Sequence, residues 1–312
     1  MKTLDRTGYN LHITQWVGRL GNHLIQLSNA LHVAEKTHSV LVIPEHELIC
    51  KREFDFRKFQ SNPCGQKIES IFFWPHDCFQ YPILNDAVRR SILQAFLADD
   101  FDGSDRSVLQ TLFQRRPAIQ DGELLLNMRS GADIFRADPP PQSDYMQPPL
   151  SFYKTIIEMH GYQKCVIVTE APPNLNPVIP ALLEWNDNIR LNVHRSVKED
   201  IHLVLAASHL VLAHSTFSWC LALMSRNLRV VHQPSTFTIR GVPDFSIHTY
   251  ETKNYIQPGK WTAMPDQMRW MIEHPMDSVE HRCEEPNSYL PASCMGHTND
   301  ADQLTKIEQA TV

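Results

Sequence analysis

Leu124-Leu125-Leu126-Asn127-Met128-Arg129-Ser130-Gly131-Ala132-Asp133 is the stretch on which the fold turns. Leu124 to Met128 reads as a strand covered on both faces, because a near-continuous apolar run suits the interior of a parallel sheet. Arg129, Ser130 and Gly131 then end the apolar run, as happens where a strand gives way to a turn and a helix. An arginine at the carboxyl end of a central strand points into the crevice where open α/β sheets bind their ligands.

Toward the C-terminus the same alternation continues. Asp138 to Pro149 is a proline-dense loop, with five prolines in twelve residues. Ser151 to His160 is expected to be a helix with Ser151 as N-cap. A strand follows over Lys164–Thr169 and a helix over Asn176–Trp185, with Pro177 tolerated in its first turn. Further strands are expected over Ile189–Val193, Leu210–Ala213 and Leu228–His232, with helices over Val197–Ala207 and Ser218–Ser225. Strand and helix in strict alternation predict a parallel sheet with helices on both faces. Beyond Pro234 the periodicity fades, apart from a helix over Pro265–Ile272 that carries Trp270. The tail from Glu284 is polar and is expected to be loose.

Toward the N-terminus, Pro117 to Gly122 reads as a linker. Before it come a weak strand over Leu11–Val17 and a helix over Asn22–Lys36. Leu24, Leu27, Leu31 and Ala34 recur along that helix at three- and four-residue spacing and predict its buried face. Val40–Ile43 is a short strand stopped by Pro44. Ile71–Trp74 reads as a strand in a region broken by Pro63, Gly65 and Pro75, and helices are expected over 86–98 and 105–116. Two domains follow, residues 1–118 and 119–312.

Composition bounds the function. With 312 residues, 42% of them hydrophobic and 21% charged, the chain reads as a soluble globular protein. A formal net charge of −6 argues against nucleic-acid binding by bulk electrostatics. The N-terminus lacks the apolar core of a signal peptide, and no apolar run approaches the ~20 residues of a membrane span. A cytoplasmic protein without a membrane span is therefore expected. The seven cysteines include no CxxC pair, so they suggest neither a zinc site nor a disulfide framework. A Cys64–Cys78 or Cys283–Cys294 bridge stays open for a secreted chain.

Three segments carry chemistry. Gly18-Arg19-Leu20-Gly21-Asn22 opens a helix. Its glycines allow a sharp turn and close approach of backbone to ligand, and Asn22 can cap the helix or bond a substrate oxygen. Arg129 can fork onto a diphosphate and neutralise a departing leaving group, or form a structural ion pair with Asp133. Ser215-Thr216-Phe217-Ser218 ends a strand and begins a helix, so its hydroxyls and exposed N–H groups suit an anion, or simply an N-cap. Asp200, early in the preceding helix, has an ordinary use against the helix dipole. Asp100-Phe101-Asp102 has the DxD form that can hold a hard cation, but it sits in an acidic loop between two predicted helices.

Taken together these segments resemble the fucosyltransferase superfamily, the α1,2-, α1,6- and protein O-fucosyltransferases. Gly18-Arg19-Leu20-Gly21-Asn22-His23 resembles the family's G-G/R-x-G-N-Q turn. Leu124 to Asp133 resembles its H-x-R-x-G-D segment, and Glu199-Asp200-Ile201-His202 with Ser215-Thr216-Phe217-Ser218-Trp219 resembles its third segment. The resemblance spans about residues 12 to 232. It implies a GT-B-like α/β fold, two Rossmann-like domains facing each other across a cleft, with the C-terminal one carrying the nucleotide-sugar. It implies inverting, metal-independent transfer of L-fucose from GDP-fucose to a hydroxyl of a glycan acceptor, with no cofactor. By the same resemblance Arg129 binds the β-phosphate, Asp200 contacts guanine, and Ser215, Thr216, Phe217 and Ser218 hold the phosphates. Asn22 and the Gly18–Gly21 backbone, with Arg19, face the reacting centre. Two positions depart from the pattern: Asn127 replaces the family's histidine, and Ala132 is an extra residue before Asp133. They keep open transfer of another nucleotide-activated sugar, and a catalytically silent nucleotide- or glycan-binding protein. For the general base, His23, Asp133 and Glu170 are candidates, and the Asp138–Pro149 loop is expected to shape the acceptor groove.

Overall fold

The computed structural model describes residues 10–49, 51–57, 67–70, 91–92, 122–192, 196–237 and 245–284. The chain forms two compact units, Met1–Ser107 with Pro291–Val312, and Val108–Leu290. The expected domain boundary, the strand over 71–74, the Asp100–Asp102 motif and the tail beyond 284 lie outside the described residues. So do the predicted helices over 86–98 and 105–116, apart from the helical pair 91–92.

In the first unit, strand β1 (Asn10–Ile13) leads into helix α1 (Leu20–Thr37), which returns to β2 (Val40–Val42). Strands β3 (Glu53–Asp55) and β4 (Lys67–Ser70) complete a four-stranded sheet of order β3-β2-β1-β4, in which β1 pairs in parallel with β2 and β4, and β3 runs antiparallel. Leu24, Leu27, Leu31 and Ala34 are buried, as their spacing predicts. Gln26, Ser28 and Asn29 are buried as well, so α1 is enclosed well beyond its apolar stripe. The helix ends at His38, which adopts the left-handed conformation and donates its N–H to the last carbonyls.

The second unit holds the larger sheet. Its strands are β5 (Glu123–Met128), β6 (Lys164–Thr169), β7 (Ile189–Asn192), β8 (His209–Val211), β9 (Val230–Pro234), β10 (Ser246–Thr252) and β11 (Val279–Glu284). They lie in the order β11-β10-β9-β8-β5-β6-β7, and every neighbouring pair but β10–β11 is parallel. Read from β7, the first six strands follow the 3-2-1-4-5-6 order of the dinucleotide-binding Rossmann sheet. Leu124, Leu125 and Leu126 are fully buried at its centre, in register with β6 on one side and β8 on the other.

Helices α2 (Ala132–Phe135), α3 (Leu150–His160), α4 (Val178–Trp185), α5 (Val197–Ala206), α6 (Thr216–Met224) and α7 (Pro265–Glu273) connect or cover the strands. In α3, Phe152, Tyr153, Ile156 and Ile157 face the core, and Gly161 closes the helix at φ +65°. Its N-cap is Pro149 rather than the expected Ser151. Ser151 lies within the first turn instead, and its hydroxyl bonds the buried His274 ring at 2.7 Å. The region beyond Pro234, where periodicity fades, supplies the antiparallel pair β10–β11 as well as α7. No described helix is long and apolar enough to cross a membrane.

Candidate functional site

In a sheet of this order the crevice opens where the chain reverses direction across the sheet, between β5 and β8, at the carboxyl ends of the strands. Two of the three sequence-predicted segments meet there. Arg129 follows β5, and Ser215 follows β8 as the N-cap of α6, its hydroxyl accepting from the Phe217 N–H at 3.2 Å. Both uses foreseen for Ser215 are compatible, because the cap leaves the positive dipole end of the helix in place. Thr216 begins α6, while Ser218 is fully buried and its hydroxyl donates back to Ala213 and Ser215 carbonyls.

Arg129 is largely buried and gripped on two sides. Its Nε donates to Glu170 Oε1 at 2.6 Å, and its Nη2 to the Asp133 carboxylate at 2.8 and 3.1 Å. The ion pair with Asp133 that the sequence allowed is therefore formed, and Glu170, at the end of β6, is its stronger and more buried half. The two acids fix the plane of the guanidinium and leave Nη1 without a partner among the described residues. Gly131 makes this geometry attainable: a Cβ there would lie 2.2 Å from Asp133 Oδ1 and 2.7 Å from Glu170 Oε1. The turn is locked from behind. Ser130 Oγ donates to the Pro172 and Pro173 carbonyls at 2.7 and 2.9 Å, and Asn176 Nδ2 donates to the Arg129 carbonyl at 2.8 Å.

A cavity of about 650 Å³ opens beside this cluster, lined by residues 141–145, His214, Thr216 and Phe237. The proline-dense loop thus forms one wall and the β8–α6 turn another. The His214 ring stacks on Phe237 with centroids 4.5 Å apart and is flanked by Tyr145 at 5.9 Å. Burial holds the His214 pKa below its ordinary value, against its bond to the Met146 carbonyl and the charge of Asp144, with the nearby Arg129 adding to the depression. The loop wall is anchored by the later chain. Trp261 Nε1 donates to the Ile134 carbonyl at 2.7 Å, and Tyr255 donates to the Gln147 carbonyl at 3.0 Å. Gln147, itself buried, donates to the His214 carbonyl and ties the two walls together.

Asn127 is buried in β5 two residues before Arg129, on the same face of the strand. Asp200 is half-buried in the first turn of α5, behind a capping box made by Ser196 and Glu199. Since α5 and α6 each follow a parallel strand, both begin at the carboxyl edge, the edge that carries Arg129.

The glycine turn belongs to the other unit. Gly18 adopts φ +77°, and a Cβ on it would lie 2.1 Å from Asn22 Nδ2. Arg19, exposed, is the N-cap residue, with Gly21 and Asn22 inside the first turn of α1, so Asn22 folds over Gly18 and does not cap the helix. His23 has both ring nitrogens engaged. The backbone N–H of Leu48 donates to His46 Nδ1 at 3.0 Å, which places the His46 proton on Nε2, facing His23 Nδ1 at 2.9 Å. His23 Nε2 in turn meets the Gly18 carbonyl at 3.0 Å. Burial lowers the pKa of both rings, and Trp16 packs against both with centroids 5.2 and 5.3 Å away.

Sequence reasoning overlooked His214, Tyr145 and Phe237. His214 directly precedes Ser215 and was open to notice. Tyr145 and Phe237 reach the cavity from irregular segments without periodicity.

No protein-family model matches the chain, and no curated protein is detectably similar to it. Among solved structures it is similar to POFUT1 in complex with GDP, at 12% identity and a TM-score of 0.41, over 76% of this chain and all of that one. It is also similar to the E. coli heptosyltransferase WaaC with ADP, at 13% identity and a TM-score of 0.38, over 72% of this chain and 87% of that one.

Proposed function

We propose that this chain is a glycosyltransferase that holds a nucleotide-activated sugar, GDP-fucose, at the carboxyl edge of its seven-stranded sheet and transfers the sugar with inversion to a glycan hydroxyl. One observation carries the reading: the two sequence segments with phosphate-binding chemistry, Arg129 and Ser215–Thr216, flank the β5/β8 switch point beside a cavity large enough for a nucleotide. Nη1 of Arg129 is the donor left for a diphosphate oxygen. The N–H groups at the start of α6, with the Thr216 hydroxyl, supply neutral donors for the other phosphate. As the glycosidic bond breaks, charge grows on the leaving diphosphate, and a guanidinium already held in plane stabilises it without reorganising. Asp200 and Asn127 are assigned to the nucleotide and Asp133 to the reacting centre, where it orients Arg129. Gly18, Arg19, Gly21, Asn22 and His23 are assigned to the acceptor side. For His23 to act as base, the hydrogen bond that its Nδ1 accepts from His46 must first open. No metal or cofactor enters this scheme.

Asn127 favours a second reading, transfer of a different nucleotide-activated sugar, because an amide replaces part of the family histidine's hydrogen bonding. Calorimetric titration with GDP and UDP, followed by a donor panel with product detection, tests both. GDP binding and fucose transfer support the first. UDP binding moves the assignment to the second, and the absence of any nucleotide binding removes both.

A further inference from the structure

At the amino edge of the large sheet, away from the crevice, histidines and tyrosines crowd one face of β9, β10 and β11. The register puts His232 across from His248, His248 across from Cys283, and Tyr250 across from His281, so all five side chains share that face. His160, the last residue of α3, closes over them, with its ring 4.8 Å from His248 and 5.8 Å from His281. One ring nitrogen from each of His160, His248 and His281 lies within 4.8 Å of the other two. His248 Nδ1 and His281 Nε2 are 2.8 Å apart with the rings 9° from parallel, which is an N–H···N hydrogen bond.

From these distances we infer that His160, His248 and His281 form a binding site for a divalent transition-metal ion of the zinc class, tying the edge strand β11 to the end of α3. Nitrogens bound to one tetrahedral zinc at ~2.0–2.1 Å sit roughly 3.3 Å from each other. The His248–His281 pair therefore opens by about half an ångström, the ion takes the place of the shared proton, that proton moves to the other nitrogen of the ring that carried it, and His160 moves inward. An all-imidazole set suits zinc, copper or nickel better than magnesium or calcium. Two of the three rings are also held from outside, as metal ligands are: Tyr250 bonds His160 Nε2 at 2.8 Å, and Cys283 Sγ lies 3.6 Å from His248 Nε2. All three ligand residues are half-buried, so the cluster is partly open to solvent. The site is independent of the proposed sugar transfer, which takes place at the opposite edge of the sheet.

The test is calorimetric titration of the chelator-treated full chain with zinc chloride, with a thermal melt alongside. One ion should bind per chain and raise the melting temperature. Loss of an outer-shell partner typically costs ~10–100-fold in metal affinity, so H248Q and H281Q should each weaken binding at least that much and abolish the thermal shift. Cobalt(II) added to the wild type should give the intense visible bands of a tetrahedral complex, a readout independent of whether the variants fold. Absence of zinc binding by the wild type, wild-type affinity in both variants, or a cobalt spectrum without tetrahedral bands would each overturn the site.

Discussion

Replacing Arg129 with alanine separates its two duties, binding an anion and neutralising two acids. Asp133 Oδ1 and Glu170 Oε1 lie 2.2 and 2.7 Å from a single point above Gly131, so they are at most about 5 Å apart. With the guanidinium gone, two carboxylates at ~5 Å repel by about 0.8 kcal/mol in a water-like dielectric. That end of the range applies because the Asp133 side chain is 52% exposed and Glu170 keeps the Ser130 N–H at 3.3 Å. A cost of about 1 kcal/mol lowers the melting temperature of a unit this size by roughly 2–4 °C. Loss of a charge-assisted phosphate contact costs about 1.5–3 kcal/mol, or ten- to a hundredfold in GDP affinity. R129A should therefore melt slightly early and bind GDP ten- to a hundredfold more weakly by calorimetry. R129A/E170Q should regain the melting temperature but not the affinity. Unchanged GDP affinity in R129A, with a lowered melting temperature, would mean that the two acids use up the arginine and that the anion-binding argument is wrong.

Three further outcomes are expected. G18A imposes a left-handed conformation on a residue with a Cβ, at about 1–2 kcal/mol, and drives that Cβ into Asn22; chemical denaturation should show a loss of at least that size, which G18A/N22A recovers only in part. S215A removes the cap of α6 and should cost ~1 kcal/mol by the same measurement. Burial depresses the folded-state pKa of His214 and His232, so the unfolded chain binds more protons in acid. Stability from these groups is therefore present above the unfolded value of about 6.5 and is lost as pH falls below it, with a slope of up to about 1.4 kcal/mol per pH unit per histidine. Urea unfolding between pH 5 and 7.5 should show this slope, and H214N should make it shallower.

The second unit was legible because its strands are short, apolar and punctuated by turns. A buried strand such as Leu124–Met128 leaves little ambiguity once helices of ten or so residues separate it from the next. Strands β10 and β11 were not legible for the opposite reason. Their faces carry His248, Tyr250, His281 and Cys283 where a buried strand would carry valine or leucine, so the polar clustering that gives the region its chemistry also hides its period. Ser151 was misread because a serine ahead of an apolar run satisfies a cap pattern, while the demand of the buried His274 for a partner appears only in three dimensions.

The same distinction runs through the site. Arg129 was identifiable from its place at the end of a central strand, and its bond to Asp133 from their spacing of four residues. Glu170 lies 41 residues away from Arg129 in sequence and reaches it only because β6 pairs beside β5 in register, with Met128 opposite Thr169. That register also explains the turn's composition. Two carboxylates converging on one guanidinium leave no volume above residue 131, so the turn needs a glycine at φ −71°, a conformation open to any residue. Crowding rather than backbone freedom thus accounts for Gly131. G131A should then leave the backbone unstrained yet push Asp133 and Glu170 off the arginine. The expected result is a GDP affinity reduced along with a melting temperature lowered at least as far as in R129A, because the buried guanidinium loses its partners. A G131A protein that binds GDP as the wild type does would show that the orientation imposed by the two acids is immaterial to binding.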